Sequence, residues 1–540
     1  MQELPHMADT RPNFLVFITD QHRADHLSCM GNPVLRTPNI DAIAARGRRY
    51  EKFYVSTPIC MPNRATLFTG RMPSLHGAHC NGAPLALSAN TLTELLRCDG
   101  YRTELVGKVH LQNMTGRPAA MERNCPSGLR HPPESHREAW LGLWRDGRYD
   151  QENTALWQDN PAHQLDLPYY GFEKVRLCTM HGDVVGGEWR RWAGQMLPDL
   201  AALIGPANAS PDQRYTVPQG YRTRLPEEYY PTTFVEQHTV AALESCADDR
   251  SKPFFLVSSF PDPHHPFTPP GHYWDLYDPD EIMPPSSLAA RECPASPVLD
   301  HMRARHLAGG ENRQGTTPFI VDAREACEAI ALSYGMIAMI DDAVGRIMAR
   351  LQALDLAENT IVIFMSDHGD FMGDHGLMLK SALHYQGLVR VPFIWSEPGM
   401  AAPGHPTRAL HSTLDFGRTI LARAGIAPFW GMQGRDMAPS LADPEAAGHD
   451  ALLIEEDGHE TGMGFSAPVR VRTLMTARHR LSIYDDTDWA ELYDLENDPD
   501  EMSNLVDDPA HASLRSACFE RLSRLMTSLA DRSPFPIGRA

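Results

Sequence analysis

The chain has 540 residues, 42% of them hydrophobic, with a formal net charge of −20. That length exceeds what one core holds, so two packed units are expected; the acidic balance without a basic run argues against nucleic acid as a partner, while local charge in a cleft still admits an anionic substrate. Ten irregularly spaced cysteines with no C-x-x-C pair, a polar Met1 to Arg11 and no stretch of membrane-spanning length exclude a disulfide scaffold and a membrane partner, and predict a cytoplasmic protein.

Asn13 to Thr19 (NFLVFIT) is a short apolar run, as expected of a strand buried on both faces, and it ends at Asp20-Gln21. A helical pattern follows at Pro38 to Arg46. Cys60 then opens the run C-M-P-N-R-A-T-L-F-T-G-R. Pro62 suits a first helical turn, and Arg64, four residues after Cys60, falls on the same face. Free N–H groups at such a helix start favour an anion. Another helix is predicted over Asn90 to Arg97, stopped by Gly100. Thr103 to Val106 is the weakest strand pattern and leads to Lys108 and His110. Phe254 to Phe260 (FFLVSSF) ends at Asp262-Pro263-His264-His265, and Thr360 to Met365 (TIVIFM) ends at Asp367-His368. Val391 to Trp395 is one more short strand. Long helices are predicted over Asp322 to Leu354 and Ser412 to Ala424.

Residues 112–230 and 266–318, rich in proline and charge, read as excursions from the sheet. After about Gly448 short strands are predicted at Ala451 to Ile454, Thr473 to Thr476, Arg480 to Tyr484 and Glu491 to Tyr493, followed by an amphipathic helix over His511 to Leu529. The expected architecture is therefore α/β: a mostly parallel sheet flanked by helices over residues 1–448, and a smaller antiparallel sheet plus helix over 449–540. In such sheets ligands bind beyond the carboxyl ends of the strands, and here four strand ends carry acidic, imidazole or ammonium groups. Lysine usage sharpens this. Only five lysines stand against 44 arginines, and two of the five, Lys108 and Lys380, fall beside these motifs. Lysine supplies a compact charge and a transferable proton that arginine does not.

The run from Cys60 reads C-x-P-x-R-x-x-L-x-T-G-R and resembles the signature of the type I sulfatases, whose cysteine is oxidised to formylglycine. RPNFLVFITDQ, TPNIDAIAARG, GKVHL, DPHHPF, SDHGDFMGDHGL with Lys380, RVPFIW and ELYDLENDPDEMSNL extend the resemblance over nearly the whole chain, to the sulfatases of the alkaline phosphatase superfamily. The resemblance implies an alkaline-phosphatase-like fold. It implies that Asp20, Gln21, Asp367 and His368 hold one divalent metal with modified Cys60 as a further ligand. It places Arg64 beside the formylglycine, Lys108 and His110 around the nucleophile and sulfate oxygens, and His264 and Lys380 against the transferred group or leaving oxygen. His264 is preferred over His265 because it directly follows the proline of P-H-x-P-F.

Three positions depart from the common pattern. Asn63 stands where serine is usual, Gln21 where aspartate is frequent, and His368 where asparagine is frequent. An imidazole ligand suits manganese, iron or zinc better than calcium, which prefers all-oxygen shells; manganese is slightly favoured and calcium left open. The Asp-Gln pair resembles the choline-sulfatase and phosphonate-monoester-hydrolase branches, and Asn81 matches a substrate-side asparagine of the latter. GKVHL is sulfatase-like. The expected reaction is hydrolysis of a small-molecule sulfate ester, with hydrolysis of a phosphonate monoester or phosphodiester as the alternative. A formylglycine-generating enzyme and a homo-oligomeric state are further implications of the resemblance. A second Asp-His-Gly at Asp374 to Gly376 is read as a loop anchor.

Overall fold

The computed structural model describes residues 11–117, 130, 147–289, 296–458, 460–532 and 538. At its centre lies strand β1, Asn13–Thr19, buried along its whole length. With the strands of the two larger sheets numbered in chain order, β1 is followed by β2 (Arg48–Arg49), β3 (Arg102–Lys108), β4 (Lys174–Thr179), β5 (Gly186–Gly187), β6 (Phe254–Ser259), β7 (Thr360–Ser366) and β8 (Phe393–Ser396). These eight form one sheet in the order β2-β8-β7-β1-β6-β3-β4-β5. The five from β7 to β4 are mutually parallel, while β8 runs antiparallel to β7, β2 to β8, and β5 to β4.

The alternation along β1 decides what each face buries. Phe14, Val16 and Ile18 pack with Leu67 and Phe68 of helix α2 (Cys60–Thr69), Leu92 and Leu96 of α3 (Leu92–Cys98) and Phe416 and Ile420 of α6 (Thr413–Arg423). Leu15 and Phe17 pack instead with Ile40 and Ile43 of α1 (Pro38–Arg46), Phe234 and Leu243 of α4 (Pro231–Asp248) and Ile340, Val344 and Ile347 of α5 (Ala323–Ala353). Burying the five apolar side chains from Phe14 to Ile18 contributes roughly 8–15 kcal/mol before chain entropy is charged against it. Side-chain caps set the starts of α5 and α6: Asp322 with Glu325 and Ser412 with Asp415 each form a capping box.

The strand at Lys108 needs a glycine. Gly107 has φ +112°, and a Cβ there would lie 1.8 Å from the Ser259 carbonyl oxygen of neighbouring β6. Only glycine brings the two strands together immediately before Lys108.

Residues 112–230 are not simply an excursion, because β4 and β5 complete the sheet from within them. The reason they escape a hydrophobicity reading is exposure: Lys174 and Arg176 face solvent while Val175 and Leu177 are buried, so β4 lacks an apolar run. Trp189 is buried, its Nε1 donating to the Tyr229 carbonyl at 2.9 Å, and it packs the insertion against the core. The second sheet contains β9 (Ala451–Asp457), β10 (Arg470–Thr476), β11 (His479–Tyr484) and β12 (Ala490–Asp494), antiparallel and in chain order. Leu474, Leu481 and Leu492 meet Cys518 and Leu522 of the closing helix α7 (Ala512–Ser528).

Candidate active site

Four strand ends and one helix start meet at a single point. Asp20 and Gln21 leave β1, Lys108 ends β3, His264 follows β6, and Asp367 and His368 leave β7. Gln21 sits at φ +62°, a turn that sends its N–H to Asp367 Oδ1 at 3.2 Å and so ties two adjacent strand ends together. Helix α2 presents its first residue to the same point, and every one of its ten residues is buried. The Cys60 Sγ lies 2.9 Å from Lys380 Nζ, 3.0 Å from His368 Nε2 and 3.9 Å from Asp20 Oδ1.

Buried charges here are matched by other buried charges. Arg64 donates Nε to Asp367 Oδ2 at 2.7 Å, donates another nitrogen to the Lys108 carbonyl at 2.8 Å and the Ser259 hydroxyl at 2.9 Å, and approaches Asp20 Oδ2 at 3.5 Å. Lys108 Nζ pairs with Asp20 and lies 2.7 Å from His181 Nε2. Lys380 Nζ donates to Gln21 Oε1 at 3.0 Å and sits 3.1 Å from His264 Nε2. Burial alone would raise the Cys60 thiol, but the ammonium groups of Lys108 and Lys380 outweigh it and bring its pKa from 9.0 to about 7. Burial acts the same way on Asp20 and is overcome by Lys108, His264 and Arg64, which hold the carboxyl well below its ordinary value. His264 is driven well below the usual histidine range by burial, then by His181, His265 and Lys380.

The structure thus brings together Asp20, Gln21, Cys60, Arg64, Lys108, His264, Asp367, His368 and Lys380. His110 follows within two residues of Lys108 at φ +54°, its N–H anchored on Glu152 Oε2 at 2.7 Å. Among the described residues its buried Nδ1 has no hydrogen-bond partner. Asn81 stands beside the helix start, where its Oδ1 accepts from the Met61 N–H at 3.3 Å. Asn63 Nδ2 donates to the Asp367 carbonyl, and its Oδ1 accepts from the Thr413 hydroxyl at 2.7 Å. Asp374 accepts from Arg23 at 2.7 Å and from the Ser287 hydroxyl at 3.3 Å, contacts that anchor its loop.

Sequence reasoning missed His181. Its ring stacks on that of His264 with centroids 3.5 Å apart and planes within 9°, and its Nε2 is 3.7 Å from Asp20 Oδ2. The signal was present, because His181 follows β4 as His264 follows β6, but β4 itself was hidden in the insertion. His265 and Asp370 also reach the cluster through Gln21, whose Nε2 donates to Asp370 and lies 3.1 Å from His265 Nδ1. With the amide nitrogen held there, Gln21 Oε1 faces inward.

A divalent cation fits this donor set. One atom each from Asp20, Cys60, Asp367 and His368 lie within 4.8 Å of one another, all buried. Two carboxylates, an inward amide oxygen and an imidazole form a mixed oxygen–nitrogen shell of the kind that holds a divalent cation. The cluster already gathers positive charge at its centre, since the Lys380 ammonium lies within 3.0 Å of Gln21 Oε1 and His368 Nε2.

Comparison with known proteins gives this geometry its context. The sulfatase family profile matches residues 12–426, and the profile for the C-terminal part of N-sulphoglucosamine sulphohydrolase matches 373–528. An arylsulfatase of Clostridium perfringens is 26% identical over 92% of this chain and 90% of its own. A choline-sulfatase of Rhizobium meliloti is 25% identical over 93% of this chain and 84% of its own. The crystal structure of a phosphonate monoester hydrolase of Agrobacterium radiobacter superposes with a TM-score of 0.72, covering 97% of both chains at 24% identity, and so shares the fold.

Proposed function

This chain belongs to the sulfatase family and is a hydrolase acting on sulfate esters; from that premise we propose that it splits a small-molecule sulfate ester into an alcohol and sulfate with oxidised Cys60 as nucleophile. One observation carries the reading: Cys60 heads a buried helix with Lys380 and His368 within 3.0 Å and Arg64 anchored on Asp367 from the same helix. Oxidised to formylglycine, Cys60 would supply a hydrated aldehyde, with one hydroxyl as nucleophile toward sulfur as the S–O bond to the alcohol breaks, and the other, on losing its proton, to release sulfate and restore the aldehyde. Asp20, Gln21, Asp367 and His368 would hold one divalent cation, manganese in preference to calcium, which supplies charge stabilisation at the sulfuryl oxygens.

The remaining groups of the chain act around that centre. Lys108 and Lys380 place ammonium groups where negative charge grows, already oriented and shielded from water. Arg64 holds Asp367 and the Lys108 carbonyl in register with the nucleophile. His264 is assigned the proton transfer to the leaving oxygen. Its Nδ1 is engaged by the His265 carbonyl at 2.6 Å, so Nε2 is the atom that points at Lys380 and at the reacting group. That role requires a bound anion beside the ring to offset the burial and the neighbouring groups that hold its pKa down. A formylglycine-generating enzyme is the maturation partner this reading requires.

A second reading, hydrolysis of phosphonate monoesters or phosphodiesters in the same cavity, is favoured by Gln21 in the shell and by Asn81 beside Met61. Parallel rate measurements on an aryl sulfate and a phenyl phosphonate separate the two. Sulfate turnover exceeding phosphonate turnover supports the first, and the opposite order by orders of magnitude replaces it with the second. Peptide mass spectrometry of the protein from its native host checks the nucleophile: oxidation to formylglycine removes about 18 Da from Cys60.

A further inference from the structure

A further group of nitrogen and oxygen donors surrounds a buried carboxylate at the start of α6. His411 immediately precedes the helix, Asp415 lies in its first turn, and His449 enters from the segment that leads into β9. His411 Nδ1 is 2.9 Å from Asp415 Oδ2, and His449 Nε2 is 3.0 and 2.9 Å from Asp415 Oδ1 and Oδ2. The backbone is shaped to permit this. A Cβ on Gly448 would lie 2.4 Å from the Leu410 carbonyl oxygen, and the neighbouring His449 N–H donates to that same oxygen at 2.8 Å.

The carboxylate is a fully buried anion with no ammonium or guanidinium partner among the described residues. Among the described residues its ion pairs are with His411 and His449 alone. Its other hydrogen bonds come from the backbone N–H groups of Arg435 at 2.7 Å and Ser412 at 3.2 Å. A buried charge of this kind is stable only when matched. The far nitrogen of His411 is held as well, 3.2 Å from the Ser440 hydroxyl, which in turn bonds the Tyr50 hydroxyl at 2.9 Å and the Met437 carbonyl at 3.0 Å. An imidazole fixed through its second nitrogen, with the first aimed at a carboxylate and another imidazole, is the outer support that metal ligands carry.

We propose that His411 Nδ1, Asp415 and His449 Nε2 form a second, structural site for a zinc-class dication. Two imidazoles and one carboxylate select zinc over calcium or magnesium. Tetrahedral zinc sets its ligand atoms about 3.3 Å apart, so the two imidazole–carboxylate contacts need to open by only a few tenths of an ångström, and all three donors already lie within 4.8 Å of one another. The His449 side chain is 13% exposed, which leaves a solvent edge for a water as fourth ligand. Such an ion staples the chain entering β9 to helix α6. The helix is already linked to the catalytic cluster, because its first residue, Thr413, bonds Asn63, and Asn63 bonds the Asp367 carbonyl.

The test compares zinc content, by inductively coupled plasma mass spectrometry after equilibration with zinc and removal of excess, in the wild type, His411→Gln and His449→Gln. Glutamine keeps a hydrogen-bond donor toward Asp415 but is a poor zinc ligand. The wild type is expected to retain one more zinc per chain than either variant, and zinc is expected to raise its Tm by more than it raises theirs. Equal zinc content in all three overturns the proposal. Should a variant fail to fold, anomalous scattering at the zinc edge from zinc-equilibrated wild-type crystals decides: a peak between His411 and His449 supports the site, and no peak there overturns it.

Discussion

Replacing Arg64 by methionine tests the charge arrangement on which the site depends. The guanidinium is 1% exposed and joins Asp367 at 2.7 Å, the Lys108 carbonyl at 2.8 Å and the Ser259 hydroxyl at 2.9 Å. Methionine fills much of the volume but leaves the buried Asp367 without its guanidinium, facing only the His368 imidazole at 3.7 Å, while Asp20 keeps Lys108. Removing one partner of a buried pair costs about 3–5 kcal/mol, and orphaning the two acceptors pushes the loss toward the upper figure. The guanidinium also repels a dication entering beside it. Manganese should therefore recover more stability in Arg64→Met than it adds to the wild type. Urea unfolding with and without manganese measures both effects, read at the first transition because a chain of several units need not unfold in one step. A loss below about 1 kcal/mol, or equal stabilisation of both proteins by manganese, would refute the assignment of Arg64 as counter-charge to these carboxylates.

Cys60→Ala should abolish sulfate-ester turnover while circular dichroism and Tm stay near the wild type, since the change deletes one buried sulfur atom; residual turnover at wild-type rates would remove Cys60 from the mechanism. His181→Ala deletes a partner of Lys108 and the ring stacked on His264, interactions together worth about 2–3 kcal/mol, so kcat/KM on an aryl sulfate should fall about 30–150-fold. Partial recovery in His181→Gln is expected through the hydrogen bond alone, and an unchanged kcat/KM in His181→Ala would show that His264 positions itself. Burial, only partly offset by the Ile40 and Asn39 N–H groups, pushes the Asp341 carboxyl up from 3.8 to about 6. The folded state then binds this proton more tightly than the unfolded one, so the stability it contributes is lost as pH rises across that interval. Thermal unfolding of Asp341→Asn should lack this part of the pH dependence, and curves that run parallel to the wild type would contradict the shift.

What could be read from the sequence followed burial. β1, β6 and β7 are apolar because both faces are covered, and their ends announce themselves as Asp20, His264 and Asp367. The capped helices α5 and α6 and the closing antiparallel sheet were legible for similar reasons: periodicity and turn residues are local. The insertion was not, because β4 is half exposed and carries lysine and arginine where a buried strand has none, and His181 was lost with it. Geometry set by backbone torsion was equally invisible. Nothing in the letters says that Gln21 and His110 adopt positive φ, or that the Gln21 amide turns its nitrogen toward Asp370. Asn63 looked like a departure in the motif around Cys60. The fold uses it to hold the Asp367 carbonyl to helix α6 through Thr413.

The depth at which Cys60 lies has a bearing on how the protein must be made. A modifying enzyme cannot reach a thiol that is 1% exposed and begins a helix with no surface residue. On the proposed reading, its oxidation would therefore belong to the nascent polypeptide. The walls of the vault, β6 and β7, are encoded far downstream, and at about 5–20 residues per second the roughly 300 residues separating Cys60 from β7 occupy about 15–60 s of translation. That interval is a clock for maturation. Protein denatured and renatured without the oxidising machinery would keep whatever atom it carried at that position, so the active fraction of any preparation records events at the ribosome.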